Sequence, residues 1–387
     1  MLEGITGFRR AGLILLVVPF LAGVFAASAA AGPLTPKEQL GKAIFFDARL
    51  STPNGMSCGT CHDPAAGFAD PRPGYPVSQG VVPDRFGSRN ANSVAYASFN
   101  GMFMFMPGMG PMNMGVYQGG QFWDGRSSML IDQAKLPFLN PLEMNNPDSL
   151  AVVADVRSAK YAPLFQAVYG ATSLDRLNKN HPEDVALAYD RVADAIAAYE
   201  PSSEVDSFSS KYDLYLLGEA RLSDQESSGL ALFQASCDRC HPSRPSATGM
   251  PPIFSSHHHA NTGVPKTPDN PFYDVAATFN PEGHDYVDLG TGGAVGDPFH
   301  YGRFKIPSLR NVAVTAPYMH NGAFADLHTV ADFYNTRDVA GAGWPAPEWS
   351  ANVLVGPEHL GNIGLTDQQV DEIVAFLLTL TDGYVGQ

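Results

Sequence analysis

Basic residues and strand-forming segments are scarce in this chain, and each shortage excludes something. Lys and Arg total 24 against 39 Asp and Glu, which leaves a net charge of −15 over 387 residues. We therefore expect no nucleic acid or anionic membrane surface among its partners, whereas a basic or dipolar protein would suit such a surface. Strand signals are sparse, so no extensive sheet is expected. After the first 32 residues, no apolar run is long enough to span a membrane.

The long hydrophobic run of the chain lies at its N-terminus. Arg9 and Arg10 precede an apolar stretch at residues 11–27, and small residues suited to cleavage follow as far as Gly32. This order is typical of a secretory signal. We therefore assign residues 1–32 to a signal peptide and expect the mature protein in the periplasm. An uncleaved membrane anchor is the alternative.

Cysteine is also scarce, and its placement is informative. All four cysteines belong to two pentads of the pattern Cys-x-x-Cys-His, which consist of Cys58, Cys61 and His62, and of Cys237, Cys240 and His241. In this pattern the two thiols form thioethers with the vinyl groups of a haem, and the adjacent histidine binds the iron. The pentads thus predict two covalently bound c-type haems. Local disulfides would leave both histidines unexplained, and a zinc site would require folding to unite distant pentads.

A short repeat precedes both pentads. Residues 34–45 and 222–233 share leucine, glutamate, glycine, alanine and phenylalanine in one register. Each begins as a capping box, in which two side chains bond each other's exposed backbone N–H groups. We therefore expect a mainly α fold of two cytochrome-c-like helical haem domains with long loops, at residues 33–200 and 201–387. Residues 366–380 carry the clearest helical stripe, and this helix should close the second haem pocket.

Three further motifs give the chain a family resemblance. They are Phe-Trp-Asp-Gly-Arg at 122–126, Glu-Met-Asn-Asn at 143–146, and Pro-Ser-Leu-Arg-Asn at 307–311 followed by residues 315–322. In this order they resemble the motifs of the bacterial di-haem cytochrome c peroxidase and MauG family. The resemblance implies a peroxidatic haem in the N-terminal domain and an electron-transfer haem in the C-terminal domain. It also implies a calcium ion between the domains.

The resemblance assigns roles around the first haem. Trp123 matches a tryptophan that lies between the two haems and couples them. Glu143 matches a distal carboxylate that takes a proton from one oxygen of bound peroxide and returns it to the other. Gln133 matches an orienting position and Pro137 a packing position. Without the family, Trp123 would be a core residue and Glu143 a solvated surface charge.

The axial position of the second haem departs from that of many family peroxidases. These carry a methionine fourteen residues after the histidine that matches His320, whereas this chain has Tyr334, as MauG-type proteins do. A phenolate is a hard anionic ligand, so the haem potential should fall. Met319 is the alternative ligand, and His320 is expected beside the iron rather than on it.

A second departure concerns the first haem. Many family members carry a distal histidine in the loop that matches residues 77–81, and that histidine must leave before peroxide binds. No histidine occurs here between His62 and His181. The first iron should therefore be open to peroxide without reductive activation.

Asn90 and the backbone carbonyls of Thr315 and Pro317 match the calcium ligands of the family. Amide and carbonyl oxygens suit Ca²⁺. Read alone, these residues are an ordinary loop asparagine and a turn.

Two segments lie outside the family motifs. Residues 102–114 hold six methionines in a glycine-rich insertion. A packing lid is favoured there over a Cu(I) site, although thioethers suit both. The run His257, His258 and His259 is favoured as a polar loop over a metal site.

The leading hypothesis is a periplasmic di-haem peroxidase that reduces hydrogen peroxide to water with electrons from a cytochrome c or a cupredoxin. A MauG-like enzyme that oxidises residues of a partner protein is the first alternative. Tyr334 and the missing distal histidine favour it, whereas Ala235 stands where MauG has a surface tryptophan. A di-haem electron carrier with two six-coordinate irons is the second alternative. The identity of the donor, the haem potentials and the oligomeric state, including a homodimer, stay open.

Overall fold

Helices dominate the part of the chain that the structure describes. The structure is a computed structural model, and it describes residues 32–72, 74–109, 115–355 and 360–385. Apart from Gly32, the predicted signal peptide lies outside the described residues. None of the described helices is long and apolar enough to cross a membrane.

The expectation of a mainly α fold is confirmed. The helices of the first part of the chain are α1 (Pro36–Phe45), α2 (Cys58–Cys61), α3 (Leu130–Gln133), α4 (Leu136–Leu139), α5 (Ser149–Ser158), α6 (Ala162–Tyr169) and α7 (Pro182–Tyr199). Those of the second part are α8 (Lys211–Leu216), α9 (Asp224–Ser236), α10 (Gly290–Val295), α11 (Leu327–Thr336) and α12 (Asp367–Leu378). Short 3₁₀ turns lie at Pro64–Ala66, Ala97–Asn100, Pro271–Asp274, Gly283–Asp285, Pro298–His300 and Val312–Val314.

The two copies of the sequence repeat form α1 and α9. Both predicted capping boxes are present: Glu38 donates its N–H to Thr35 at 3.3 Å, and Glu226 donates to Ser223 at 3.2 Å. In each box the glutamate in turn accepts the N–H of the capping residue at 2.6 Å. Helix α1 packs against α7, and α9 packs against α12.

A repeated glycine explains how closely these helix pairs approach. A Cβ atom on Gly41 would lie 2.0 Å from the carbonyl oxygen of Ala195 in α7. A Cβ atom on Gly229 would lie 1.8 Å from the carbonyl oxygen of Glu372 in α12. Since real Cβ atoms do not come so close to backbone oxygens, both positions require glycine.

The buried hydrophobic residues form two main clusters. The first cluster draws on residues 40–205, with Ile253 added, and has α1, α5 and α7 at its centre. The second cluster draws on residues 212–380 and is built on α9 and α12. Each cluster therefore surrounds the helix that leads into one pentad.

Buried polar contacts join the two clusters. Tyr96, from the first, donates its hydroxyl to Asp382 at 2.8 Å. The guanidinium of Arg310 lies 4.7 Å from the centre of the Tyr96 ring and forms two hydrogen bonds to Asp213, at 2.9 and 2.8 Å. Both members of this ion pair are almost fully buried, so removal of either one would leave a charge without its partner.

The strands are short and antiparallel. Strand β1 (Met104–Met106) pairs with β2 (Val116–Gln118), and β3 (His259–Ala260) pairs with β4 (Phe304–Lys305). A bridge between Gln118 and His258 connects the two ribbons.

The methionine-rich insertion contains β1, and the exposure of its described methionines argues against the packing lid that we expected. The side chains of Met102, Met104 and Met109 are 56%, 47% and 41% exposed. Met112 and Met114 lie outside the described residues.

The histidine run enters β3 rather than a loop. Buried His259 uses both ring nitrogens, Nδ1 with the Thr291 hydroxyl at 2.5 Å and Nε2 with the Gly119 carbonyl at 2.9 Å. This pairing leaves His259 no nitrogen for a metal.

Candidate functional site

Both pentads present their histidine in the same way. Nδ1 of His62 lies 3.2 Å from the carbonyl oxygen of Phe68, and Nδ1 of His241 lies 2.7 Å from that of Phe254. Because a carbonyl only accepts hydrogen bonds, Nδ1 must carry the proton, which leaves Nε2 available to bind a metal. Burial also lowers the pKa of His62, and it lowers that of His241 to about 4. Both imidazoles are therefore neutral, as an iron ligand must be.

The first pentad opens on a large cavity. Its volume is about 490 Å³, and Cys58, Cys61 and His62 lie in its wall. This volume falls in the range of about 300–1,000 Å³ that is usual for cofactor-sized ligands. Neither pentad forms a disulfide in the described residues, so the thiols are available for thioethers. The donor set and the volume both fit a covalently bound haem.

The predicted distal residues line the same cavity. Trp123, Gln133, Pro137 and Glu143 all contribute to its wall. Gln133 ends α3, and Pro137 lies in the first turn of α4. Folding thus brings four widely spaced positions to the site that holds His62.

The backbone around Glu143 fixes its position at the cavity. Its carbonyl oxygen accepts the N–H of Val81 at 2.8 Å. Gly80 lies so close that a Cβ atom there would be 2.4 Å from the carbonyl oxygen of Leu142. The loop at residues 77–81 therefore packs against the Glu143 backbone. It contributes Ser78 and Gln79 to the cavity wall.

Opposing effects set the proton affinity of Glu143. Burial raises the pKa of its carboxyl group, while the charge of Arg126 and a hydrogen bond from Asn140 lower it. Burial is the largest of these effects, so the pKa lies above its ordinary value. A carboxyl group of this kind can accept and return a proton nearer to neutral pH.

Trp123 connects the first cavity to the second half of the chain. Its ring N–H donates to the carbonyl oxygen of Asn90 at 2.8 Å. Its own carbonyl oxygen accepts the backbone N–H of Lys305 at 2.7 Å. The indole ring meets the ring of His320 edge-on, with centroids 6.5 Å apart. Backbone contacts from both halves therefore hold the indole in one orientation.

A partly buried ion-pair network supports the motif at 122–126. Arg89 bonds Asp124 at 2.7 Å and Asp288 at 2.6 Å, and Arg126 bonds Asp124 at 3.0 Å. Burial alone would raise the pKa of Asp124, but the two arginines outweigh it and lower that pKa. Asp124 therefore stays ionised next to Trp123.

The two candidate ligands for the second haem lie next to each other. Tyr334, in α11, points its hydroxyl at the Met319 sulfur at 3.9 Å. Burial raises the pKa of Tyr334 to about 12, and the nearby thiols of Cys240 and Cys237 contribute to this rise. The structure thus places Tyr334 and Met319 together.

His320 is turned towards the interior between the two halves. Its ring stacks on Phe304, with centroids 3.6 Å apart and planes at 14°, and its Nε2 lies 3.7 Å from a carboxylate oxygen of Glu348. The backbone carbonyl of His320 accepts the N–H of Asn90 at 2.8 Å. This bond brings Asn90 to the loop that contains Thr315 and Pro317, the other residues expected to bind calcium.

Sequence reasoning missed several charged residues in the wall of the first cavity, among them Glu200 and Lys305. Glu200 follows α7 and is 3% exposed, and burial, helped by Asp206, raises its pKa to about 8. Lys305 in β4 is 4% exposed. Neither residue belongs to a spacing pattern, so only the folded chain reveals that it faces the cavity.

The chain is mainly helical and has two Cys-x-x-Cys-His sites. The first of these sites opens on a cavity that is lined by a carboxylate, a carboxamide and a tryptophan. These features define a c-type di-haem protein. Residues 35–221 match the family described as di-haem cytochrome c peroxidase. The chain is 39% identical over 360 residues to the methylamine utilization protein MauG of Paracoccus denitrificans, covering 89% of this chain and 88% of that protein. It belongs to the di-haem cytochrome c peroxidase and MauG family.

Other relatives agree with this assignment. The cytochrome c551 peroxidase of Pseudomonas aeruginosa is 29% identical over 347 residues, which cover 89% of this chain and 78% of that protein. The crystal structure of the diheme peroxidase BthA from Burkholderia thailandensis superimposes with a TM-score of 0.77 at 30% identity, covering 92% of this chain and 88% of that one. The chain is therefore an oxidoreductase with two c-type haems.

Proposed function

We propose that the protein is a periplasmic peroxidase that reduces hydrogen peroxide to water with electrons from a small redox protein. The observation that carries this proposal is the cavity that gathers His62, Glu143 and Gln133. When bound, the haem there would supply an iron with an open position for peroxide. The loop at residues 77–81 offers no imidazole to occupy that position.

Glu143 moves the proton in this reaction. As a carboxylate it accepts a proton from the near oxygen of peroxide, and as an acid it returns that proton to the leaving oxygen. Gln133 orients the peroxide through its carboxamide, and Pro137 packs the cavity without adding a competing donor. Val81 and Asn140 keep Glu143 in place.

Trp123 couples the two haems. Its position between Asn90 and Lys305 supports this role, because the two contacts come from opposite halves of the chain. The two clusters of buried residues support a division into haem domains at residues 33–200 and 201–387, each resembling a cytochrome c. We assign the peroxidatic haem to the first domain and the electron-transfer haem to the second.

Tyr334 is the proposed second axial ligand of the His241 haem, and Met319 is its competitor. The burial of Tyr334 and the effect of the Cys240 charge on its phenol support this ligand, since both indicate a place near the second pentad. A phenolate is a hard ligand that ferric iron stabilises. We further propose a calcium ion held by the side chain of Asn90 and the carbonyls of Thr315 and Pro317. The bond between Asn90 and the 315–322 loop supports this site.

A MauG-like reaction, in which peroxide oxidises residues of a partner protein, is the second candidate. The 39% identity to MauG and the position of Tyr334 favour it. Ala235 disfavours it, because it leaves an exposed methyl group on α9 where that protein has a surface tryptophan. A di-haem electron carrier without catalysis is the third reading.

Steady-state turnover separates these candidates. The holoprotein would be mixed with hydrogen peroxide and a reduced, basic cytochrome c, whose charge suits a surface of net charge −15. Sustained oxidation of the cytochrome, dependent on peroxide, is expected for the peroxidase. The assay would then be repeated with a reduced cupredoxin as the donor. If the protein reacts fast with peroxide but turns over negligibly with either donor, modification of a protein substrate is favoured. If the protein does not react with peroxide, the di-haem electron carrier is the function that remains.

A further inference from the structure

Lys305 places a buried cation in the wall of the first cavity. Lys305 is 4% exposed and lines the cavity, as Trp123 does. Strand β4 holds it there through its pairing with His259 in β3. Its backbone N–H donates to the carbonyl oxygen of Trp123 at 2.7 Å, so the backbone next to the side chain is fixed.

Among the residues that the structure describes, the ammonium group of Lys305 has one hydrogen-bond acceptor. Nζ donates to the carbonyl oxygen of Gly120 at 2.9 Å, whereas an ammonium group offers three N–H donors. Among the described residues, the carboxylate whose charge acts on Lys305 is Asp124. Asp124 is already engaged by Arg89 at 2.7 Å and by Arg126 at 3.0 Å.

The other titratable neighbours give Lys305 no negative charge. His257 and His259 face it, and burial lowers the pKa of each to about 4, so both are neutral near pH 7. Burial likewise lowers the pKa of Lys305 to about 7. A buried cation without a full counter-charge is costly, and such groups in proteins are normally paired.

The cavity itself is where the missing counter-charge belongs. A haem carries two propionate carboxylates, and a haem attached at Cys58 and Cys61 would occupy the cavity that Lys305 lines. We propose that the ammonium group of Lys305 binds a propionate carboxylate of the first haem. The proposal rests on the haem of that cavity and not on the peroxidase reaction, so either can fail alone.

This assignment has an electrostatic consequence. A cation at the propionate stabilises the reduced haem, which carries one positive charge less than the oxidised haem. Replacement of Lys305 by a neutral residue should therefore make the potential of the first haem more negative. The potential of the second haem should change less, because its pentad does not line this cavity.

The test compares Lys305→Met with two controls in the haem-loaded protein. Lys305→Arg keeps the charge, and Lys179→Met removes an equal charge from an exposed site. Spectroelectrochemical titration should give a more negative first-haem potential for Lys305→Met than for Lys179→Met, while Lys305→Arg stays near the unmodified protein. Equal potentials in Lys305→Met and Lys179→Met, or a shift confined to the second haem, would overturn the proposal.

Resonance Raman spectroscopy of the unmodified protein gives a second readout. In the unmodified protein, the propionate bending band of the first haem should shift in D₂O, because the ammonium protons exchange. In Lys305→Met this sensitivity should disappear, and Lys305→Leu, which also lacks an N–H donor, replaces that variant if it does not take up haem. A band in the unmodified protein that ignores D₂O would refute the contact, even if peroxide still reacts.

Discussion

Replacement of Glu143 by glutamine tests the proposed proton transfer at the first haem. Glutamine has nearly the same shape, so the cavity and the backbone bond from Val81 should remain. The amide, however, cannot accept and return a proton. General acid–base catalysis by a positioned group contributes roughly 10²–10⁴-fold, which corresponds to about 3–5 kcal/mol of activation free energy. We expect the variant to lose that much of its rate with peroxide.

Stopped-flow absorbance provides the assay. The second-order rate constant is the slope of the observed rate against peroxide concentration, measured above the pKa of Glu143, where the carboxylate is ionised. Glu219→Gln, on an exposed carboxylate, is the matched control and should react like the unmodified protein. Haem content and the ferric spectrum should be unchanged in both variants. A loss smaller than about tenfold in Glu143→Gln, with intact haem, would refute the assignment of Glu143 as the proton-transfer group.

Three further predictions follow from charges and ligands near the haem sites. Because the charge of Arg126 lowers the pKa of Glu143, Arg126→Gln should move the acid limb of the peroxide rate to higher pH, whereas an unmoved limb in a pH–rate profile would contradict this coupling. Tyr334→Phe should change the absorption and EPR spectra of the second haem and Met319→Leu should not, and the reverse result would make the thioether the ligand. Glu200 has a folded-state pKa of about 8 against an ordinary value of 4.5, so the free energy of unfolding should fall between these pH values, by up to about 5 kcal/mol. Denaturant titrations at pH 5 and 8.5 should show this fall in the unmodified protein and a smaller fall in Glu200→Gln. An equal fall in the free energy of unfolding of both proteins would contradict the prediction.

The helical framework could be predicted because its signals are local. The capping boxes at Thr35 and Ser223 use residues three positions apart, and the structure forms both. The repeat also marked Gly41 and Gly229 as equivalent. Why glycine is required at both positions is clear only from the folded chain, in which Gly41 lies against the backbone of α7 and Gly229 against that of α12.

The distal residues could be placed at one site only through the family resemblance. Nothing in local sequence links Gln133 or Glu143 to His62, yet all three line one cavity. Lys305 and Glu200 had neither a motif nor a spacing, because their burial comes from contacts between distant segments. The prediction of a packing lid at the methionine-rich segment was wrong for a related reason. Methionine side chains can pack or be exposed, and only the folded chain shows that three of them are exposed.

The two proposed haems are unequal, with an open iron at His62 and a capped iron at His241. EPR spectroscopy of the ferric holoprotein, before and after one equivalent of hydrogen peroxide, tests this inequality most directly. We predict one high-spin and one low-spin signal, with rapid loss of the high-spin signal on addition of peroxide. Two low-spin signals that peroxide leaves unchanged would contradict the account.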